Sequence, residues 1–250
     1  MRKIALQLYT VRESMKKDFV GTLKEVAGIG YKGVELAGFG GMSAKDLRAL
    51  LDDLGLIAVG GHTNMDAIGK SMEQTLGDFV TLGASYLGVA WAGEEWRSEQ
   101  GWHRAARLME KAATETLKHD ITFFYHNHDF EFQKINGKYG LDVLFEAADP
   151  TLVKWEEDVF WVQKGGEEPV AYMNKYAGRT PLIHIKDMTA DASRTFECVG
   201  DGVIDFDAIF KAGDANDVDW YIVEQDQCPK GEIESARRSY QNIVARGWLG

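Results

Sequence analysis

A set of ionisable side chains stands at or just beyond the polar ends of short apolar segments of the chain. Its members are Glu35, His62, His126, His128, Glu131, Asp158, His184, Lys186 and Glu224. Imidazole and carboxylate groups together suit Mn²⁺, Zn²⁺, Co²⁺ or Fe²⁺ better than an ion that prefers thiolate ligands. The same groups transfer protons as general acids and bases. If the fold gathers them, the sequence predicts a centre of metal-assisted proton transfer.

The apolar segments have the composition of β-strands and alternate with helical patterns. We predict strands over residues 4–9, 33–36, 56–60, 86–91, 121–126, 152–157, 182–185 and 220–224. Asp18 and Ser43 are expected to cap two of the helices, and Gly55 is typical of a helix C-terminus. Eight repeats of about 31 residues match the βαβ unit. They favour an α/β fold with a closed parallel (β/α)8 barrel, the TIM barrel, over an open doubly wound sheet.

The composition and motifs of the sequence exclude several classes of protein. The chain has 28 Lys and Arg residues against 39 Asp and Glu residues, a net charge of −11 that opposes binding to a phosphodiester backbone. No G-x-G-x-x-G segment follows a strand, so a dinucleotide site is not expected. Because the sequence contains no linker-like or low-complexity stretch, we expect a single barrel domain spanning residues 1–250.

The sequence also bears on where the protein works. No apolar run approaches the roughly 20 residues of a membrane helix, and the N-terminal segment turns polar too early for a signal peptide. Cys198 and Cys228 form neither a disulfide framework nor a metal knuckle. We therefore expect a cytoplasmic protein whose partner is neither a membrane nor a nucleic acid.

In a (β/α)8 barrel the carboxyl ends of the strands form one mouth, where the active site lies. Asp158, His184 and Glu224 end three consecutive predicted strands, and His126 on the strand before them completes a set of four candidate metal ligands. The acidic run 156–158 also favours a bound cation, because adjacent carboxylates repel one another. The competing interpretation of each histidine is a buried ring hydrogen-bonded to a neighbouring strand end.

Other residues of the mouth suit contacts with a substrate. If the fifth strand continues to residue 128, His128 shares a strand face with His126, so one ring can bind metal while the other contacts substrate. Lys186 can hold a hydroxyl, carbonyl or carboxylate group. Its alternative role is a salt bridge, for which the candidates are Asp187, Glu157 and Asp226. Aromatic rings near the strand ends suit the apolar face of a sugar and would serve equally well as rim packing. The predicted substrate-binding residues are Gln7, Tyr9, Glu35, His62, Trp91 and Trp161.

Six segments make the sequence resemble a known family. They are residues 7–12, 125–132, 158–162, 184–188, 199–205 and 223–226. Across nearly the whole chain the sequence resembles the sugar phosphate isomerase/epimerase family. These are xylose-isomerase-like TIM barrels, a group that also includes inosose dehydratases, ketose 3-epimerases and endonuclease IV.

The resemblance implies a divalent metal on strands five to eight, with Mn²⁺ first and Zn²⁺, Co²⁺, Fe²⁺ or Mg²⁺ as alternatives. Ketose 3-epimerases hold it with Glu, Asp, His and Glu. Asp158, His184 and Glu224 match the last three, whereas His126 stands in place of the first Glu. In those epimerases two glutamates exchange a proton through an enediolate. Here either His126 or His128 takes the second role, or one base suffices, as in an aldose–ketose shift or a dehydration.

The predicted activity is that of a divalent-metal-dependent isomerase or epimerase of a small sugar or keto-sugar, in which the metal stabilises an enediolate. The predicted catalytic residues are Glu224, His128, Glu131 and Lys186. Since the sequence carries no phosphate cradle, we expect an unphosphorylated substrate. The alternatives are a lyase or dehydratase acting on a keto-sugar or 3-keto-glycoside, a nuclease like endonuclease IV, and a non-catalytic sugar-binding barrel. The resemblance also implies that homo-oligomers can form.

Overall fold

Eight parallel strands close into one barrel in the computed structural model, which describes residues 1–70 and 72–250. In chain order the strands are β1 (Lys3–Gln7), β2 (Gly33–Leu36), β3 (Ile57–Thr63), β4 (Tyr86–Val89), β5 (Thr122–His126), β6 (Val153–Asp158), β7 (Leu182–Ile185) and β8 (Trp220–Val223). Each strand pairs in parallel with its neighbours in the chain, and β8 pairs with β1. The predicted (β/α)8 TIM barrel is confirmed.

Helices follow the strands around the outside of the barrel. They are α1 (Arg12–Lys17), α2 (Phe19–Ile29), α3 (Ala44–Leu54), α4 (Met65–Lys70), α5 (Met72–Leu82), α6 (Glu99–Leu117), α7 (Gly140–Ala147), α8 (Val159–Lys164), α9 (Pro169–Lys175), α10 (Phe206–Ala215) and α11 (Glu232–Ala245). The predicted caps are confirmed, since Asp18 and Ser43 accept backbone N–H groups at the starts of α2 and α3. Gly55 ends α3 with a φ of 66°, which a residue without Cβ adopts easily. None of these helices, over the described residues, is long and apolar enough to cross a membrane.

Five strands end one to three residues away from their predicted ends, and the differences at β1 and β3 concern the mouth of the barrel. The predicted first strand reaches Tyr9, but the chain turns into a 3₁₀ helix over Leu8–Val11. Gln7 Oε1 accepts the backbone N–H of Tyr9 at 3.0 Å and so caps this turn. In contrast, β3 continues beyond its predicted end to Thr63, which brings His62 into the barrel strand itself.

Apolar side chains fill the barrel below its mouth. Those packed together in this layer are Ala5, Val59, Tyr86, Phe124, Leu182, Trp220 and Ile222. Gly88 on β4 is required there, because a Cβ atom at this position would overlap the ring of Phe124. The layer forms a dry floor beneath the polar strand ends, so the charged groups above it are shielded from water on one side.

A single carboxylate organises the loop between β7 and α10. Asp187 accepts the backbone N–H groups of Met188, Gly200, Gly202 and Ile204 at distances of 2.7 to 3.1 Å. A short antiparallel hairpin within the loop pairs Asp187–Met188 with Phe196–Glu197. Because four N–H groups engage its two oxygens, Asp187 serves the loop and is not the ion-pair partner of Lys186.

Candidate active site

Successive side chains of a strand point to opposite faces, and this alternation selects which residues enter the mouth of the barrel. On β6 it turns Glu156 and Asp158 inward and leaves Glu157 on the helix side, where burial raises its pKa well above the usual range. Between strands, His126 is in register with Glu156, and Asp158 with His184. The register therefore places imidazole rings between carboxylates.

The four predicted metal ligands lie together. His126, Asp158, His184 and Glu224 each offer one atom, and these atoms all lie within 4.8 Å of one another. All four side chains are buried. His184 Nδ1 is 2.9 Å from Glu224 Oε2, and His126 Nε2 is 3.7 Å from Asp158 Oδ2. We call these four residues the outer set.

The side chain of Lys186 places its ammonium group beside the outer set. Its Nζ lies 3.0 Å from Asp158 Oδ2, 2.9 Å from Glu224 Oε2 and 2.7 Å from Asp226 Oδ2. Of the three salt-bridge partners considered from the sequence, Asp226 is confirmed. Burial raises the pKa of Asp158 to about 6 despite the nearby lysine. Against the effect of burial, Lys186 and His184 hold the pKa of Glu224 below its usual range.

A second group of polar residues lies beside the outer set, and we call it the inner set: Glu35, His62 and Glu156. His62 Nε2 is 2.8 Å from Glu156 Oε2 and 3.2 Å from Glu35 Oε1. Gln7 donates a hydrogen bond from Nε2 to Glu35 Oε2 at 2.6 Å. Glu35 and Glu156 have no exposed surface. Glu35, predicted as a substrate contact, therefore lies beneath the mouth rather than at its surface.

Two histidines connect the inner and outer sets. His126 turns Nδ1 toward Glu156 Oε2 at 3.0 Å and Nε2 toward Asp158. His184 turns Nε2 toward Glu35 Oε2 at 2.6 Å and Nδ1 toward the outer carboxylate Glu224. A histidine that binds metal through one ring nitrogen usually donates the other N–H to a carboxylate, which orients the ring. The inner carboxylates occupy that position for both rings.

The outer set fits a divalent metal ion. Two imidazoles and two carboxylates are donors that Mn²⁺, Zn²⁺, Co²⁺ and Fe²⁺ accept. Asp158 Oδ2 is buried, and the ammonium group of Lys186 is its cationic neighbour at 3.0 Å. The donor types and their proximity make the outer set a candidate metal centre.

A cavity of about 680 Å³ opens above the two sets. The predicted site residues on its wall are Gln7, Tyr9, His62, Trp91, His126, His128, Trp161 and Glu224. Asp129 and Asp226 also line it, although the sequence prediction did not place them in the site. The rings of Tyr9 and Trp91 are 44% and 53% exposed, which suits them to contact a ligand that enters the mouth.

His128 is the imidazole of the cavity wall that stands clear of the carboxylates. Its Nδ1 is buried, with no hydrogen-bond partner among the residues described. The ring stacks on Phe130 with centroids 5.7 Å apart and lies 5.3 Å from the ring of Trp161. Burial, reinforced by the charge of Lys186, lowers the pKa of His128 to about 3, so the imidazole is neutral.

Glu131 lies behind the cavity wall rather than on it. Its Oε1 accepts the hydroxyl of Tyr125 at 2.6 Å, and its Oε2 accepts the backbone N–H of His128 at 2.8 Å. Burial raises the pKa of Glu131 to about 8, although both hydrogen bonds oppose the rise. The structure therefore places this predicted catalytic residue as a support for the backbone of His128.

The sequence prediction also left out Glu156, which contacts three histidines. It is within 3.3 Å of ring nitrogens of His62, His126 and His184. Its signal in the sequence was a spacing of two residues from Asp158, which places both carboxylates on one strand face.

Comparison with known proteins agrees with this fold. Residues 23–243 match the xylose isomerase-like TIM barrel family. An inosose dehydratase from Clostridium beijerinckii is 25% identical over 249 residues, covering 84% of this chain and 83% of that protein. The crystal structure of a sugar phosphate isomerase/epimerase from Parabacteroides distasonis matches with a TM-score of 0.89 at 24% identity, covering 100% of this chain and 96% of that one. An IOLI protein solved with a zinc atom matches with a TM-score of 0.76 at 14% identity, covering 97% of each chain.

The two structural matches show a shared fold, and the family match extends from the first helices to the last. Since that match covers most of the 250 residues, this protein belongs to the xylose isomerase-like TIM barrel family.

Proposed function

We propose that this protein is a metal-dependent lyase that removes water from a small cyclic keto-polyol or keto-sugar. One observation carries the proposal: the ring of His128 lines the cavity without a contact to any described carboxylate, whereas Glu224 on the same wall is engaged by His184 and Lys186. The inosose dehydratase from Clostridium beijerinckii supports the reaction type, and the zinc-containing IOLI protein supports a divalent metal.

Of the predicted proton acceptors that line the cavity, His128 is better placed than Glu224. Glu224 Oε2 lies 2.9 Å from both His184 Nδ1 and Lys186 Nζ, and these contacts stabilise the carboxylate and weaken it as a base. His128 is neutral at any working pH, because its pKa is about 3. Negative charge that develops on the substrate would raise the basicity of this ring during proton transfer.

The outer set would hold the ion, which when bound polarises the keto group and acidifies the neighbouring C–H bond. The imidazole of His128 takes that proton, and the C–O bond to the hydroxyl group on the next carbon breaks. The imidazolium then returns the proton to the departing oxygen. One water leaves, a C=C bond forms, and no oxidant or further reactant is needed.

The cavity wall favours an unphosphorylated ring. Neither Lys nor Arg is among the described residues that line it, so a phosphate group would meet no cation there. Tyr9, Trp91 and Trp161 offer apolar ring faces, and Asp129, Asp226 and Gln7 offer hydrogen-bond acceptors. This combination suits a polyol ring with apolar C–H faces and hydroxyl edges.

The proposal is tested with protein loaded with Mn²⁺, Co²⁺ or Zn²⁺ and incubated with an inosose or a 3-keto-glucoside in D₂O. We expect loss of one water, seen by mass spectrometry, and a new vinyl signal by NMR. His128→Gln should lower the rate by about 10²-fold or more, the usual contribution of a general acid–base group. His119→Gln, which replaces an exposed histidine, is the matched control and should leave the rate unchanged.

An isomerase or epimerase would give a different result in the same assay. It would exchange the α-proton for deuterium and rearrange the sugar without losing water. That outcome, or a rate unaffected by His128→Gln, would refute the one-base elimination. Turnover of none of the substrates with any of the metals would instead favour a sugar-binding barrel.

A further inference from the structure

We infer that Asn127 is a positioning residue that fixes Asp158 at the end of β6 and thereby sets the geometry of the outer set. This inference rests on the proposed function, because it takes the outer set as the site of the ion. Asn127 follows His126 at the end of β5 and has no exposed surface. It is not among the described residues that line the cavity, so it acts through its neighbours and not on a substrate.

The side chain of Asn127 continues the pairing of two strands beyond the end of their ladder. β5 and β6 pair in register as far as His126 and Glu156. Beyond this pair, Asn127 Oδ1 accepts the backbone N–H of Asp158 at 3.0 Å, and Nδ2 lies 3.4 Å from the carbonyl oxygen of Asp158. One side chain therefore contacts both backbone polar groups of Asp158, as a neighbouring strand would.

A buried indole holds the amide of Asn127 in this orientation. Trp155 Nε1 donates to Asn127 Oδ1 at 2.9 Å, and Trp155 has no exposed surface. Its ring packs edge to face against those of Phe145 and Tyr176, with centroids 5.7 and 6.0 Å away. Since Oδ1 accepts two N–H groups, rotation of the amide by half a turn would bring its NH₂ group against both donors. The barrel wall thus fixes the orientation of the amide.

Asp158 is held at its backbone and at one carboxylate oxygen, which leaves the other oxygen to the outer set. Its Oδ1 accepts the backbone N–H of Trp161 at 3.0 Å. Its Oδ2 lies 3.7 Å from His126 Nε2 and 3.0 Å from Lys186 Nζ. With the backbone fixed by Asn127 and Oδ1 fixed at the start of α8, the direction of Oδ2 toward the outer set is determined.

The place of Asn127 in the chain extends this control to two histidines. His126 and His128 flank it, and both rings line the cavity. A shift of Asp158 away from Asn127 would therefore alter its spacing from the candidate ligand His126 and from the proposed base His128 together. Residues that orient metal ligands without touching the ion typically contribute about 10- to 100-fold to metal affinity or activity. We expect a contribution of this size from Asn127.

Metal affinity and the spectrum of the bound ion test the inference without relying on turnover. Protein stripped with a chelator is titrated with Co²⁺ or Zn²⁺ in competition with a chromophoric chelator. The visible absorption spectrum of bound Co²⁺ reports the geometry of its ligands. Asn127→Ala removes the contacts to Asp158, so it is expected to weaken binding about 10- to 100-fold and to change the Co²⁺ spectrum. Asn127→Ser, whose side chain is too short to span the same contacts, is a milder second variant with the same expected direction.

Asn242→Ala is the matched control. Asn242 is also a buried asparagine whose amide bonds to the backbone, but its Nδ2 donates to the carbonyl oxygen of Val199 and to Asp201, outside the outer set. This variant should lower the Tm and keep the affinity and the Co²⁺ spectrum of the parent. Circular dichroism and thermal unfolding show that each variant is folded.

Three results would contradict the inference in distinguishable ways. If Asn127→Ala and Asn127→Ser lowered the Tm but kept the affinity and spectrum of the parent, Asn127 would serve stability alone, and the proposed function would stand. Equal weakening of binding in Asn242→Ala would also overturn the inference, because affinity would then follow stability. A parent protein that bound no ion would overturn both the inference and the proposed function.

Discussion

Glu131 allows a direct test of how burial governs ionisation behind the active site. We predict that Glu131→Gln abolishes a loss of stability that the parent protein shows as the pH rises. Burial raises the pKa of this carboxyl group to about 8, so it is protonated in the folded protein at neutral pH. Its Oε1 accepts the hydroxyl of Tyr125, and its Oε2 accepts the backbone N–H of His128. A glutamine side chain keeps the second contact through its oxygen and can donate from its amide nitrogen to the hydroxyl oxygen of Tyr125.

The sign and size of the effect follow from proton linkage. The ordinary pKa of the group is 4.5, so between pH 4.5 and 8 the folded protein retains a proton that the unfolded chain has lost. Stability from this group is complete below the lower value and is lost as the pH rises through the higher one. At 1.36 kcal/mol per pKa unit, the loss between pH 5 and pH 8 is about 3.5 kcal/mol. The Gln variant carries no such proton and avoids this loss.

Urea unfolding at pH 5, 6, 7 and 8 measures the difference in unfolding free energy between parent and variant. A chelator is included, because metal binding would add its own pH dependence. The difference should move by about 3.5 kcal/mol in favour of the variant across this range. Glu73→Gln, on the exposed face of α5, should show no trend. A difference that stays constant with pH would mean that Glu131 is ionised when folded, and the reasoning from burial would fail.

Three further predictions concern the cluster, the loop and the floor of the barrel. Lys186→Met removes the ammonium group that contacts three carboxylates. In the presence of a chelator it should lower the free energy of unfolding by about 3–5 kcal/mol, and adding Zn²⁺ should raise the Tm of the variant more than that of the parent. Asp187→Ala removes the acceptor of four backbone N–H groups, so trypsin should cut the segment 189–205 faster while far-ultraviolet circular dichroism stays unchanged. In Gly88→Ala the added Cβ atom overlaps the ring of Phe124, which should lower the free energy of unfolding in urea by about 1–3 kcal/mol. Gly28→Ala, on the open face of α2, should not destabilise the protein.

The barrel could be predicted because its signals are local. A cap such as Asp18 or Ser43 acts on backbone groups three residues away, and a strand is recognised from its own few residues. The outer set could be predicted because the end of a barrel strand is where an active site forms. Both kinds of evidence are contained in single segments of the chain.

Glu35 and His62 were predicted as substrate contacts, but their grouping with Glu156 in the inner set could not be predicted because it depends on contacts between segments. Gln7 is opposite Glu35, and His126 is opposite Glu156, in the register of neighbouring strands. Packing of the floor and of the outer helices sets this register, and one sequence does not reveal it. The contacts of Glu131 could not be predicted either. They depend on a 3₁₀ turn at residues 130–132, beside which its carboxylate accepts the backbone N–H of His128.

His126 stands where the resemblance to ketose 3-epimerases implies a Glu. The adjacent strand carries Glu156 in register with His126, with Oε2 3.0 Å from Nδ1, while Nε2 faces Asp158 of the outer set. The imidazole of His126 offers a ligand atom at this position. Unlike a Glu side chain, it supplies no carboxylate that could exchange a proton together with Glu224. Because Glu224 is itself engaged by His184 and Lys186, the proposed dehydration assigns the role of the base to the ring of His128 alone.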